Sequence, residues 1–265
     1  MELRRQWGML ATKTYALSLF CVASLSLLSA ATNPPSSVPV SGNSALDLFH
    51  SGTQAFLAGD FGLAATNFHL ASAREPASGT FLNLGLAEWN RGRAGAAILA
   101  WERSLWLNPL NRLPIQNLKL ARKTAQIESP DLTWYEVVSS WLPVNWWAWI
   151  TGFSLWMAAG FALVPGILRW RKAVWQQAVA ACALMFFLLS LPAHVGVYTR
   201  AELGFVQDND APLRLTPTAA GQVITRLASG DPARFEWRRG SYLLVRTSRG
   251  RGWIEQSRFA LICPR

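Results

Sequence analysis

The sequence predicts a multidomain chain: all-α helical hairpins, then a two-helix transmembrane hairpin, then a small all-β barrel. Three observations carry this expectation. A 33-residue echo runs between Gly52 and Pro109. Two long apolar stretches flank a short basic segment in the middle of the chain. Short alternating runs separated by Gly-bearing turns occupy residues 201–265.

Composition agrees with a membrane setting. Hydrophobic residues make up 51% of the chain and charged residues only 15%, a balance shifted toward membrane proteins. The 14 Trp point the same way, because Trp collects at membrane interfaces and in packed repeats. A net charge of +10 would suit nucleic acid or anionic lipid. Much of the excess lies at the N-terminus and in one short loop, where membrane topology explains it, so the partners expected include the lipid bilayer and no nucleic acid. Three cysteines give no disulfide framework: Cys21 lies in a leader, Cys182 in a span, and only Cys263 in an aqueous domain.

Arg4, Arg5 and Lys13 precede an apolar run, Tyr15 to Leu28, which ends in Ser29-Ala30-Ala31. This is the order of a secretory signal, with cleavage expected after Ala31 and an uncleaved signal anchor as the alternative. Residues 1–31 are read as signal peptide and 32–44 as linker. The spans are read at 146–168 and 174–198, each long enough for a hydrocarbon core that needs about 20 residues. Arg169, Arg171 and Lys172 fall in the intervening loop, 169–173, and the positive-inside rule places that loop in the cytoplasm. Trp134, Trp141, Trp146, Trp147 and Trp149 then form an outer aromatic belt, with Trp170 and Trp175 on the inner side. Both aqueous domains are therefore expected outside the cytoplasm, on a bacterial inner membrane. Ser154, Ala158, Ala162 and Gly166 recur every four residues on the first span. That stripe suits close packing either on the second span or on another membrane protein. His194 is expected at the interface.

The echo divides residues 45–127 into helix pairs, Ala45–Ala58 with Phe61–Arg74 and Ser78–Arg91 with Ala94–Leu107. Gly59 and Gly92 supply the reversals, and Pro76 and Pro109 stop the second helix of each pair. Small Ala64 and Ala97 allow the helices to cross closely, while Phe68 and Trp101 are expected to fill the space between neighbouring pairs. A further helix, Pro114–Gln126, would cap the stack with Lys119, Arg122 and Lys123 on a polar outer face. With Asn83-Leu84-Gly85, Gly92, Ala97, Trp101 and Asn108-Pro109 in fixed order, the region resembles the tetratricopeptide repeat. The resemblance implies a groove lined here by Phe49, Phe56, Leu82, Leu86 and Trp89, suited to an apolar or amphipathic segment of a partner. Inward packing of the same residues is the alternative.

After a juxtamembrane segment, 128–145, and the two spans, residues 199–265 change to strand patterning. Gln222–Leu227, Ala233–Trp237, Ser241–Thr247 and Arg251–Glu255 are separated by Gly230-Asp231, Arg239-Gly240 and Arg249-Gly250. Leu213-Arg214-Leu215-Thr216-Pro217, Tyr242-Leu243-Leu244-Val245-Arg246 and Gly252-Trp253-Ile254 resemble bacterial SH3 domains, which implies a small SH3-like barrel. Arg238, Arg239, Arg249 and Arg251 on the hairpin tips, with Trp253 as a platform or a core residue, are the candidate ligand surface there. The implied ligands are cell-wall peptides or other extracytoplasmic proteins.

No H-E-x-x-H, G-x-S-x-G or G-x-x-x-x-G-K-[ST] motif is present, and His50, His69 and His194 lack metal-ligand spacing. No catalytic residue, metal or cofactor is expected. The domain order as a whole resembles the tetratricopeptide membrane protein of the Bacteroides aerotolerance (Bat) operon, called BatE-like. That resemblance implies a scaffold working beside von Willebrand A-domain proteins and a MoxR-type ATPase. The alternative is an envelope sensor that binds peptidoglycan through its SH3-like domain and recruits a wall enzyme.

Overall fold

A computed structural model of the chain describes residues 44–167 and 174–263. The expected signal peptide, nearly all of the linker and the basic loop with Trp170 lie outside the described residues.

Five helices come first: α1 (Ala45–Leu57), α2 (Phe61–Arg74), α3 (Ser78–Asn90), α4 (Ala94–Leu107) and α5 (Arg112–Ala125). Local chemistry sets their ends. Ser44 and Asp47 exchange hydrogen bonds in a capping box at the start of α1, and Asp60 accepts from the Leu63 amide to cap α2. Gly59 and Gly92 reverse the chain at φ +80° and +76°, a region that favours glycine.

The echo has a physical origin. A Cβ added at Gly52 would lie 2.9 Å from the Phe68 ring, and one at Gly85 would lie 2.3 Å from the Trp101 indole nitrogen. Each large aromatic sits on bare backbone of its own hairpin and also packs toward the next unit, Phe68 in one cluster with Phe81, Leu84 and Ala100, and Trp101 in one with Leu118 and Ala121. Ala64 and Ala97 are fully buried at the crossings. On α5, Lys119 and Lys123 are exposed as expected, but Arg122 turns inward to Glu102 at 2.5 Å, and Leu113, Ile115 and Leu120 are exposed as well.

A short helix, α6 (Trp134–Ser139), precedes α7 (Val144–Ile167) and α8 (Val174–Arg200). The last two are long and apolar enough to cross a membrane, with mean hydropathy 1.4 and 2.1 over their apolar stretches. They pack on each other as a hairpin. Of the small-residue stripe, Ser154 and Ala158 are buried whereas Ala162 is exposed, and the Gly166 surroundings lie outside what is described. Inside the hairpin, Thr151 Oγ1 lies 2.9 Å from Ser190 Oγ and 2.7 Å from His194 Nε2. His194 is thus half-buried and held across the two helices, not simply interfacial. Trp134, Trp141, Trp146, Trp149 and Trp175 are exposed, but Trp147 is buried and donates to the Ser139 carbonyl at 3.2 Å.

The strands are β1 (Leu203–Val206), β2 (Ala211–Arg214), β3 (Val223–Leu227), β4 (Pro232–Arg239), β5 (Tyr242–Thr247), β6 (Gly250–Glu255) and β7 (Phe259–Leu261). They form one antiparallel sheet in the order β3-β2-β6-β5-β4-β1-β7. The sheet is open: β3 and β7 are its two edges and do not pair. The SH3-like barrel expected from the sequence is therefore corrected to an open seven-stranded sheet. The β7 end is engaged elsewhere. Arg103 of α4 donates from Nη2 to the Leu261 carbonyl at 2.8 Å and from Nε to the Ile262 carbonyl at 3.1 Å.

The helices and the sheet share a core. Ile98, Trp101 and Leu118 from the helices form one buried cluster with Leu203, Phe205 and Ile262 from the sheet region. A second cluster, with Val206, Leu213, Val245, Ile254 and Phe259, lies within the sheet. Gly95 makes the close approach possible. Its amide donates to Ser229 Oγ at 2.9 Å, and a Cβ there would lie 2.3 Å from the Val206 carbonyl oxygen.

Candidate functional site

Two surfaces and the joint between them are candidates, and the joint is the best defined. It begins with a capping box: Thr133 donates to Glu136 from its amide and hydroxyl at 2.8 and 2.9 Å, which starts α6. Glu136 then faces Arg234 of β4, Nη1 to Oε1 at 2.7 Å, and is fully buried. Burial alone would raise the Glu136 pKa. The Arg234 guanidinium, the Thr133 amide and the hydroxyls of Thr199 and Thr133 outweigh it and hold the carboxyl down to about 2. The same pairing, against a smaller effect of burial, raises the pKa of Arg234. Arg234 also donates to the Thr199 carbonyl at 3.1 Å, which ties the end of α8 into the joint.

Around it, Arg200 is buried with its guanidinium 5.2 Å from the Trp106 ring centre, and Ser248 donates to Glu128 at 2.7 Å. Burial draws the pKa of Arg103 below the usual arginine value, with Cys263 opposing the shift. Gly196 lets α6 lie on α8, since a Cβ there would be 2.2 Å from the Tyr135 carbonyl oxygen. The joint thus fastens helices, sheet and hairpin by charge pairing and backbone contact. It has the chemistry of a structural clamp.

The groove residues divide into two sets. Phe49 and Phe56 are half-buried against the cluster that α1 to α4 share, with ring centres 5.6 Å from Phe68 and 5.2 Å from Phe61 respectively. Leu82, Leu86 and Trp89 are half-buried against the cluster that the helices share with the sheet. Trp89 lies 6.0 Å from Trp101, centre to centre. Both sets keep partial exposure.

The tip arginines do not come together. Arg238 precedes the β4–β5 turn and Arg249 lies in the β5–β6 turn, at opposite ends of β5, about 20 Å apart for a strand of this length. Arg249 pairs with Asp231 at 3.6 Å, and Arg251 pairs with Glu236 at 2.6 Å. Trp253 is half-buried, and the register places it opposite Leu244, which in turn faces Trp237. Directly opposed residues share a face, so Trp237, Leu244 and Trp253 form one row. Trp237 is 67% exposed, which makes it the most available aromatic of that face. Alternation along β4 would have placed Trp237 inward with Ala233 and Phe235, and the bulge between Phe235 and Trp237 turns it out.

Among the described residues, no group of three or more His, Cys, Asp or Glu could hold a metal ion. The chain matches no protein-family model, and no curated protein is significantly similar to it. With the open sheet, this overturns the Bat-type assignment and the tetratricopeptide and SH3 family identities behind it. Domain order, more than particular residues, had carried that resemblance, and an element on which it relied is not a barrel. The chain is a membrane-associated multidomain protein: a helical-hairpin region, two helices long and apolar enough to span a bilayer, and an open β-sheet docked on the helices.

Proposed function

We propose that this protein is a non-catalytic scaffold of a bacterial inner membrane, which holds protein partners on the extracytoplasmic side. The observation that carries the reading is the shared helix–sheet core, clamped through Glu136 and Arg234 to the end of α8. A body fixed in this way presents two surfaces at constant separation above the bilayer, so two weak contacts reinforce each other through effective concentration. The groove side offers Phe49, Phe56, Leu82, Leu86 and Trp89, with Leu46 and Leu57 exposed on α1 nearby. The orientation rests on Arg169, Arg171 and Lys172 in the sequence between the spans.

The test is affinity purification of the tagged full-length chain from native membranes in mild detergent. Stoichiometric recovery of membrane or extracytoplasmic proteins, reduced several-fold by Leu57→Asp or Trp89→Ala in a folded variant, supports the scaffold. Recovery that neither substitution alters sinks the groove.

The exposed Trp237, in one row with Leu244 and Trp253, favours a second reading, an envelope sensor whose sheet face stacks on peptidoglycan. Muropeptide binding abolished by Trp237→Ala, with partner recovery unchanged, would select it over the scaffold.

A further inference from the structure

Beside the joint lies a half-open cavity of about 520 Å³ between α4, α5, the segment after α5 and the end of α8. Its lining combines the cations Lys119, Arg122 and Arg200 with the apolar side chains of Leu105, Ile115 and Leu132. The one carboxylate in the lining, Glu102, is already engaged by Arg122 at 2.5 Å. Three cations therefore face one acid.

Two of those cations are under-served. Arg122 Nε is buried and lacks a hydrogen-bond partner, and a buried donor left unpaired keeps its desolvation cost uncompensated. Arg200 is only 8% exposed, and its guanidinium meets the Trp106 ring and, at 3.4 Å, Ser139 Oγ. Neither of these two is anionic, and the carboxylates that act on Arg200, Glu102 and Glu136, are already paired with Arg122 and Arg234. The position of the cavity adds a third observation. Arg200 ends α8 and Ser140 lies just before α7, so the site stands where both apolar helices begin and end. Exposed Trp141 and Trp146 mark the same level, where headgroups and interfacial aromatics collect.

We propose that this juxtamembrane cavity binds a phosphate-bearing amphiphile, an anionic phospholipid being its simplest form. The guanidinium of Arg122 and the ammonium of Lys119 take the phosphate oxygens, with Arg200 adding charge from below. The apolar wall of Leu105, Ile115 and Leu132 takes the first methylenes. A volume of about 520 Å³ is in the ordinary range for pockets that hold drug-sized ligands, roughly 300–1,000 Å³, and far exceeds what a bare phosphate needs. The inference is independent of the scaffold reading, and rests only on α7 and α8 crossing a bilayer.

The test uses the full-length chain, delipidated in detergent and then offered phosphatidylglycerol, phosphatidylcholine or inorganic phosphate, with retained ligand read by native mass spectrometry. The expected result is one phosphatidylglycerol retained per chain, at least fivefold over phosphatidylcholine. Lys119→Glu and Ile115→Trp, both at exposed positions, should each reduce it about fivefold without lowering Tm. Arg122→Gln should do the same, but it also strands Glu102, so the other two variants decide. Equal retention of the two lipids, or indifference to Lys119→Glu and Ile115→Trp, overturns the proposal. Inorganic phosphate that binds as tightly as the lipid and displaces it overturns the amphiphile and leaves an anion site. Carbonate extraction of the same chain from membranes separates the premise: release into the supernatant refutes the spans, while retention without lipid preference refutes the site.

Discussion

Arg234 and Glu136, 98 residues apart, form a two-pronged ion pair, with Nη1 2.7 Å from Oε1 and Nη2 3.2 Å from Oε2. The carboxylate is fully buried and the guanidinium also donates to the Thr199 carbonyl. One arginine of the sheet thereby fixes a juxtamembrane helix and the end of α8 together. Such a pair is costly to half-remove, because the remaining charge keeps its burial and loses its compensation.

Arg234→Met should therefore destabilise the folded chain by about 3–5 kcal/mol. The double variant with Glu136→Gln should recover part of that loss, since it no longer buries an unpaired carboxylate. Denaturant unfolding in detergent, run as a double-mutant cycle, measures the coupling. Strict additivity of the two substitutions would mean that the pair does not act as a clamp.

The same residue gives a pH dependence. The Glu136 carboxyl is held at about 2, below its ordinary value of 4.5. A lowered carboxylate stabilises the fold above the unfolded-state pKa, and that stability is lost as pH falls through the folded one. The wild-type chain should lose stability from about pH 4.5 down toward about pH 2, and Glu136→Gln should flatten this part of the profile. Thermal melts between pH 6 and pH 2.5 will show the difference. Parallel profiles for the two proteins would contradict the assignment.

Gly95 tests the docking of helices on sheet. An alanine Cβ would meet the Val206 carbonyl oxygen at 2.3 Å and Ser229 Oγ at 2.6 Å, and two of the crowding atoms are backbone. Overpacking of this kind costs about 1–3 kcal/mol. Gly95→Ala should lower Tm and speed hydrogen exchange at Val206 and Gly230, whose amides bond within this contact. Gly79→Ala, where a Cβ meets nothing within 4 Å, is the control and should be neutral or stabilising. Unchanged exchange at both amides in Gly95→Ala would show that the helices and the sheet do not depend on this contact.

How far the sequence disclosed this arrangement follows from the range of the interactions. Gly59, Gly92, Pro76 and Pro109 act on their immediate neighbours, so the helices they delimit were legible. Length and apolarity made α7 and α8 legible in the same way. The turn glycines Gly230, Gly240 and Gly250, all at positive φ, likewise separated β3 to β6. The open sheet was not legible, because closure depends on which edges meet, and Arg103 at the β7 end has no local signature. Nor was the clamp. Thr133 and Glu136 have the spacing of a capping box, which went unread in the juxtamembrane segment, and nothing near Arg234 in the chain announces its partner. Trp237 was not legible either, because alternation from Ala233 and Phe235 points it inward and only the bulge before it turns it out. The separation of Arg238 from Arg249 likewise needed the strand register.

The hairpin supplies the last prediction. Thr151 Oγ1 joins His194 Nε2 at 2.7 Å and Ser190 Oγ at 2.9 Å, so one hydroxyl of α7 serves two polar groups of α8. Polar contacts between helices in a bilayer are worth about 0.6 kcal/mol on average and at most about 1.7. Thr151→Val keeps the shape and removes the hydroxyl, leaving both partners in an apolar setting, so its cost should approach the upper figure. Ser190→Ala removes only one branch and should cost less than half as much. Steric-trapping or denaturant unfolding in bicelles can rank the two. A Thr151→Val chain as stable as wild type would mean that the packing of Ser154 and Ala158 on α8, rather than this polar cluster, holds the hairpin together.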